Sequence, residues 1–193
     1  MPETKELIAG VINQPGRVAV MATDTVYGLI AKATDQSAVL RLYALKDRQA
    51  KPGTVLAADI EQLVGDLKIA RRYLKAVESF WPDAVSVAIP INQTAGFGYL
   101  TQGKADLAIR IPDNDFVRSV LSLTGPLLTS SANLPGQPTA ATVAQAKAYF
   151  GASVDAYFDG GDLAGRLPST VIRMADDAIE VLRAGAVKIS NQS

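Results

Sequence analysis

Short apolar runs recur along this chain, each about five residues long: Val18–Ala22, Thr54–Ala58, Val85–Ile89 and Leu107–Ile111. That is strand length, too short for a buried helix. Between these runs lie helical patterns. Leu7, Ile8, Val11 and Ile12 recur at helical spacing before Pro15-Gly16 stops them. Asp35 stands as an N-cap before Ala38, Val39, Leu42 and Leu45. Asp59 with Gln62, and Thr142 with Gln145, carry the capping-box pattern. A longer helix is expected over about 69–80, halted by Trp81-Pro82, and another over about 114–123. A Gly-rich polar connection spans 92–104. Three β-like pieces, 156–158, 170–173 and 179–183, close the chain without intervening helices. Intermingled strands and helices give the α/β class, and the C-terminal strands make the sheet mixed. The expectation is a single domain over residues 1–193, a twisted mixed β-sheet flanked by helices.

One apolar run does not end as a core strand should. Pro126-Leu127-Leu128 passes directly into Thr129-Ser130-Ser131-Ala132-Asn133. Buried hydroxyls and amides lose free energy unless they are paired, so a polar cluster at a strand end holds something. A polar guest rich in acceptors, such as a nucleotide, fits it.

Composition narrows the chemistry. The chain has no cysteine and no histidine. Disulfides, zinc–thiolate sites, cysteine nucleophiles and Ser-His-Asp triads are excluded. Catalysis must rest on Lys, Arg, Asp, Glu, hydroxyls, backbone dipoles or a bound ion. Phosphoryl or nucleotidyl transfer, driven by positioning and charge neutralisation, suits that inventory. The 19 basic and 19 acidic residues cancel, which argues against a protein that mainly coats nucleic acid. The polar N-terminus lacks the apolar region of a signal peptide, and no apolar run approaches membrane-spanning length. A cytoplasmic protein without membrane contact is expected.

Several segments carry both a plain and a chemical reading. Thr23-Asp24-Thr25-Val26-Tyr27-Gly28-Leu29 follows a strand, where α/β sheets bind ligands, but is also good turn chemistry. Lys46-Asp47-Arg48, with Lys51 behind, is a solvated helix end or a phosphate clamp. Arg110 within Leu107–Pro112 marks an edge strand facing solvent, or faces a site and binds a carboxylate. Gly160-Gly161-Asp162-Leu163-Ala164-Gly165 lacks the lysine of a phosphate loop and is taken as a flexible loop. Pro168-Ser169-Thr170-Val171 enters a strand, and Leu182-Arg183-Ala184-Gly185 ends one.

Their joint order, together with Lys46-x-Arg48, Trp81-Pro82, Ala108-Ile109-Arg110-Ile111-Pro112 and Ser131-x-Asn133, resembles the YrdC family, the threonylcarbamoyl-AMP synthases. The resemblance runs from about Val18 to Val187, and the length is similar to the short bacterial form. The chain departs from the family pattern at Gln49 and at Asp83-Ala84 after the Trp-Pro corner, and it has no histidine for the threonine pocket.

The resemblance implies a nucleotidyltransferase that condenses L-threonine, bicarbonate and ATP, the last with magnesium, to threonylcarbamoyl-AMP and pyrophosphate. The product serves tRNA modification beside the anticodon, through downstream threonylcarbamoyl-transferase proteins. It also implies a large concave basic cleft. Lys46 and Arg48 would hold the ATP phosphates and carry catalysis. Ser131, Asn133, Thr139 and Arg183 would complete the ATP site, and Thr25, Arg110, Thr129 and Ser169 the threonine pocket. Asp24 is the carboxylate considered for magnesium, without a firm ligand assignment. Two other readings are open: an RNA-binding relative that grips tRNA or double-stranded RNA with Lys46, Arg48, Lys51 and Arg110, and a carbamoyl-adenylate module like that of hydrogenase-maturation proteins.

Overall fold

A computed structural model describes residues 4–46, 51–90, 96–175 and 178–189. In chain order, the strands are β1 (Val18–Ala22), β2 (Tyr27–Lys32), β3 (Thr54–Leu56), β4 (Val85–Pro90), β5 (Asp106–Arg110), β6 (Leu127–Ser131), β7 (Ala156–Phe158), β8 (Thr170–Ala175) and β9 (Ala178–Arg183). The helices are α1 (Lys5–Ile12), α2 (Gln36–Leu45), α3 (Ile60–Leu67), α4 (Arg71–Lys75), α5 (Asp115–Thr124) and α6 (Val143–Phe150). All nine strands form one mixed sheet in the order β7-β1-β2-β6-β3-β5-β4-β8-β9. The α/β class and the mixed sheet expected from the sequence are both present.

The caps follow the sequence closely. Asp35 Oδ1 accepts from Ala38 N at 3.1 Å, Asp59 Oδ1 from Gln62 N at 2.8 Å, and Thr142 Oγ1 from Gln145 N at 3.3 Å. The returning glutamine side chains reach one residue further back than a standard capping box. Gln62 Oε1 accepts from Ala58 N and Gln145 Oε1 from Ala141 N.

Three expectations are corrected. The segment after Thr25 is not only a turn, because Tyr27–Lys32 forms a strand paired to both β1 and β6. The helix expected over 69–80 is a short α4 and a separate 3-10 turn over Glu78–Phe80. Lys68 sits in the left-handed region at φ 57°, which ends α3 and turns the chain before α4. The edge-strand reading of Arg110 also fails, because β5 lies between β3 and β4.

Successive residues of a strand face opposite sides of the sheet, so each face has its own core. The larger core takes Val18 and Val20 from β1, Leu29 from β2, Val87 from β4 and Ile109 from β5. Side chains of α2, α3, α4 and α6 cover it, among them Leu42, Leu63, Leu74 and Phe150. The smaller core lies on the other face. There Met21, Ile30, Leu56 and Leu127 meet Ile8 and Ile12 of α1 and Val117, Val120 and Leu121 of α5. Four helices cover one face and two cover part of the other. Because Ile109 joins the larger core, Arg110 faces the second side, where cover is incomplete.

A charged cluster ties the starts of β1 and β7 to α2. Asp155 precedes β7. Its Oδ1 accepts from Arg17 Nη1 at 2.7 Å, and its Oδ2 accepts from Val18 N at 2.9 Å and Arg41 Nη1 at 2.5 Å. Burial pushes this carboxyl's pKa up, but the bonds from Val18, Arg17 and Arg41 outweigh it and leave the pKa below the ordinary value. A depressed carboxylate stabilises the fold above the unfolded pKa of about 3.9, and that contribution is lost as pH falls through the lower folded value. Asp155→Asn is therefore expected to lower stability by about 1–2 kcal/mol at neutral pH. Urea denaturation should show the gap closing in acid, and equal stability of the two proteins at pH 7 would refute this account.

Candidate active site

The incompletely covered face holds a cavity of about 70 Å³. Its wall is assembled from distant segments: Thr23 and Thr25 before β2, Gly28 in β2, Thr54 in β3, Arg110 at the end of β5, Thr129–Ser131 in β6, Ser169 before β8 and Arg183 at the end of β9. The hydroxyl run of β6 does not merely follow a strand; it is the strand's last three residues.

Local packing explains why the wall is shaped as it is. A Cβ on Gly28 would run into the Thr129 hydroxyl, so only glycine lets β2 pass there. That hydroxyl instead donates to Leu29 O at 3.0 Å. A Cβ on Gly185 would run into the Pro168 carbonyl, so glycine lets the chain after β9 close onto the entry to β8. That approach brings Arg183 Nη2 to Ser169 O at 2.7 Å and to Ser169 Oγ at 3.1 Å. Ser86 Oγ, fully buried in β4, lies 2.8 Å from the same Ser169 hydroxyl.

Arg110 is the dominant charge. Its side chain is 4 % exposed and its partner Asp24 is 5 % exposed, with Nη2 to Oδ1 at 2.9 Å. Nη2 also reaches Thr25 Oγ1 at 3.4 Å. Burial pushes the Asp24 carboxyl above its ordinary pKa in spite of the guanidinium beside it. Burial likewise pulls Arg110 below its ordinary value, against the attraction of Asp24. The two shifts agree: the attraction within the pair does not fully offset the loss of water.

The site leaves polar capacity unused. Asp24 Oδ2, Arg110 Nε and Ser130 Oγ are buried side-chain atoms without a hydrogen-bond partner, and Arg173 Nε is the other such atom among the described residues. Three of those four therefore belong to the cavity wall or to its ion pair. Buried polar atoms are normally paired, so this clustering is the mark of a site that takes a polar guest.

The predicted residues divide accordingly. Thr25, Arg110, Thr129 and Ser169, the whole threonine set, share the cavity wall with Ser131 and Arg183 of the nucleotide set. Lys46 and Asn133 stand behind the wall. Lys46 Nζ donates to Ser131 O at 2.7 Å, to Asn133 Oδ1 at 2.9 Å and to Asn133 O. Ser131 Oγ donates to the same Oδ1 at 2.7 Å. Thr139 is half-buried two turns beyond, off the cavity wall. Arg48 lies outside the described residues. Sequence reasoning missed Ser86 and Thr54, and gave Ser130 and Gly28 no role of their own within the runs that contain them. Ser86 had no local signal, since a serine in an apolar strand is commonplace, whereas Ser130 lay inside a run already singled out.

Comparison with known proteins places this arrangement. The model of the Sua5/YciO/YrdC family, described as telomere recombination, matches residues 12–185. The chain belongs to the Sua5/YciO/YrdC family. A threonylcarbamoyl-AMP synthase of Stutzerimonas stutzeri is 35% identical over 170 residues, covering 86% of this chain and 89% of that protein. One from Bacillus subtilis is 31% identical over 182 residues, covering 93% of this chain and 53% of that protein. The structure of P. abyssi Sua5 complexed with L-threonine superposes with a TM-score of 0.81 at 28% identity, covering 94% of this chain and 54% of that one. This chain thus spans about half the length of the Bacillus and P. abyssi proteins. E. coli YciO shares the fold, with a TM-score of 0.80 at 22% identity over 95% of this chain and 90% of that one.

The ion pair makes a Sua5/YciO/YrdC site expensive to build. Asp24→Asn leaves the Arg110 charge buried and uncompensated, and should destabilise the protein by about 3–5 kcal/mol. Replacing both partners, with Asp24→Leu and Arg110→Met, should recover most of that loss in chemical denaturation. A double variant no more stable than the single one would show that the pair holds the fold rather than the site.

Proposed function

We propose that the chain is an L-threonylcarbamoyladenylate synthase acting in the cytoplasm on L-threonine, bicarbonate and ATP. The observation that carries this is the convergence of Thr25, Arg110, Thr129 and Ser169 with Ser131 and Arg183 around one cavity. At about 70 Å³ its enclosed part suits the polar head of an amino acid, well below the ~300 Å³ lower bound of drug-sized pockets. The nucleotide then lies across the rim, against Ser131 and Arg183. The names of the bacterial relatives support the same reading.

In this reading Arg110 binds the threonine carboxylate with the N–H groups that Asp24 leaves free. The hydroxyls of Thr25, Thr129 and Ser169 orient the rest of the molecule. The amine is first carboxylated by bicarbonate: the N–C bond forms as the bicarbonate C–OH bond breaks, and the hydroxyl leaves as water with a proton from the amine. A carbamate oxygen then attacks the α-phosphate of ATP, and pyrophosphate leaves with the electron pair of the broken P–O bond. Arg183, Lys46 and Arg48 offset the charge that develops on the phosphates. Lys46 has a second task, since its bonds to Ser131 O and Asn133 Oδ1 fix the turn on which the nucleotide rests. Neither a cysteine nor a histidine enters any step.

Magnesium fits as an ion delivered on the triphosphate. Asp24, paired with Arg110 of the wall, has one oxygen held by that arginine and the other buried. Among the described residues no cluster of three acidic side chains stands ready for a metal. When bound, the ion would neutralise phosphate charge as pyrophosphate departs.

Of the cations named from the sequence for a grip on tRNA or double-stranded RNA, Lys51 is exposed and Arg48 lies outside the described residues. Lys46 is 3% exposed and Arg110 is likewise buried, so neither can track a phosphate backbone. Among the described residues no helix is long and apolar enough to cross a membrane.

The reading is tested by pyrophosphate release with mass spectrometry of the nucleotide product. Release should require threonine, bicarbonate and ATP together. Ser169→Ala should raise the KM for threonine and Ser131→Ala that for ATP, each by roughly 10–100-fold. Lys46→Ala should abolish turnover. Folded wild-type protein that releases no pyrophosphate from the complete mixture overturns the reading.

A further inference from the structure

A second and larger cavity of about 360 Å³ lies beyond the Thr23–Thr25 turn and belongs to none of the chemistry above. Its volume falls within the ~300–1,000 Å³ typical of small-molecule sites. Thr23 lines both cavities, so this turn is the partition between them. The walls are apolar and partly aromatic, with Met21 and Phe158 buried and Phe116 still 44% exposed. A large ring left in water beside a cavity gains free energy if an apolar body covers it.

The polar lining has both signs and spare capacity. Arg166 makes one long bond, from Nη1 to Asp24 O at 3.5 Å, which leaves most of its guanidinium N–H groups available. Asn114 Oδ1 is used by Val117 N at 2.9 Å, and its amide N–H groups have no partner among the described residues. Asp159 Oδ1 accepts from Tyr27 Oη at 3.1 Å and Gly161 N at 2.9 Å, leaving Oδ2 open. Donors for a carboxylate and an acceptor for an ammonium therefore border one ring-lined space.

We propose that this cavity binds a small zwitterion with a ring as its body, of the class of the aromatic amino acids. Arg166 and Asn114 take the carboxylate, Asp159 takes the ammonium, and Phe116 and Phe158 take the ring. A ring against these two phenyl groups adds the edge-to-face or offset contacts that aromatic pairs favour. The proposal does not depend on the reaction assigned to the first cavity.

Isothermal titration calorimetry on the whole chain tests it, with L-phenylalanine, L-tyrosine and L-tryptophan as probes. At least one should bind saturably at one site per chain. Arg166→Gln and Phe116→Ala each alter an exposed side chain and should each weaken binding about tenfold or more. Benzoate and phenethylamine, which each lack one charge, should bind similarly more weakly. Added L-threonine and ATP should leave the binding in place. Failure of all three amino acids to bind overturns the proposal, as does binding that ignores both substitutions. Displacement by L-threonine would place the ligand in the first cavity and overturn it equally. Benzoate binding as well as the amino acids would remove the assigned role of Asp159 and with it the zwitterion.

Discussion

The uneven cover of a single sheet is the constraint from which the rest follows. The larger core is sealed by α2, α3, α4 and α6, while the opposite face has only α1 and α5. A strand cannot choose which of its faces is covered, because alternate side chains are committed to each. Ile109 and Val87 go to the sealed side, so Arg110 and Ser86 are delivered to the open one. An open sheet face must be polar, hydrated or occupied. Here it is lined by hydroxyls and two guanidinium groups, with atoms left unpaired, which selects for a polar occupant.

A buried arginine in the middle of a sheet is tolerated because the chain supplies its counter-charge from a different strand connection. Asp24 lies between β1 and β2, and Arg110 ends β5. That pairing does more than balance charge. It fixes the guanidinium plane, so the N–H groups not facing Asp24 are aimed rather than free to swing. Isolated buried pairs contribute little net stability, and both partners here carry the signature of burial outweighing attraction. The glycine at position 28 has the same logic. It gives up side-chain packing in a strand in order to leave the Thr129 hydroxyl in place. Both choices sacrifice stability where the wall must have a given shape.

Much of this was legible in the sequence where a local rule sufficed. Caps at Asp35, Asp59 and Thr142 were read correctly because capping is decided within four residues. Local polarity singled out the Thr129–Asn133 run, whereas Thr25, Ser169 and Arg183 were assigned to a site through the resemblance of their joint order to a known family. What failed was decided at a distance. Strand β2 is buried along both faces from Tyr27 to Ala31, so it shows no alternation, and its polar leader suggested a turn. The helix expected over 69–80 stops as α4 at Lys75 and gives way to the 3-10 turn of Glu78–Phe80, with no glycine or proline between to announce it. Ser86 became part of the site only because β4 lies beside β8, a pairing no local pattern encodes.

The two halves of the wall differ in readiness, and that difference has a physical origin. The side that the proposed function gives to the amino acid is built from short hydroxyl side chains and one clamped arginine. Such groups have few rotatable bonds, so they hold their positions at little entropic cost. The side that the proposed function gives to the nucleotide includes Lys46, whose long flexible stem is instead immobilised on the carbonyls of Ser131 and Asn133. A lysine used this way orders the strand end before any phosphate arrives. The turn after β6 and the ammonium are positioned by the same bonds. Preorganisation of that kind is what a site without histidine or cysteine needs, because its own side chains contribute through geometry and charge.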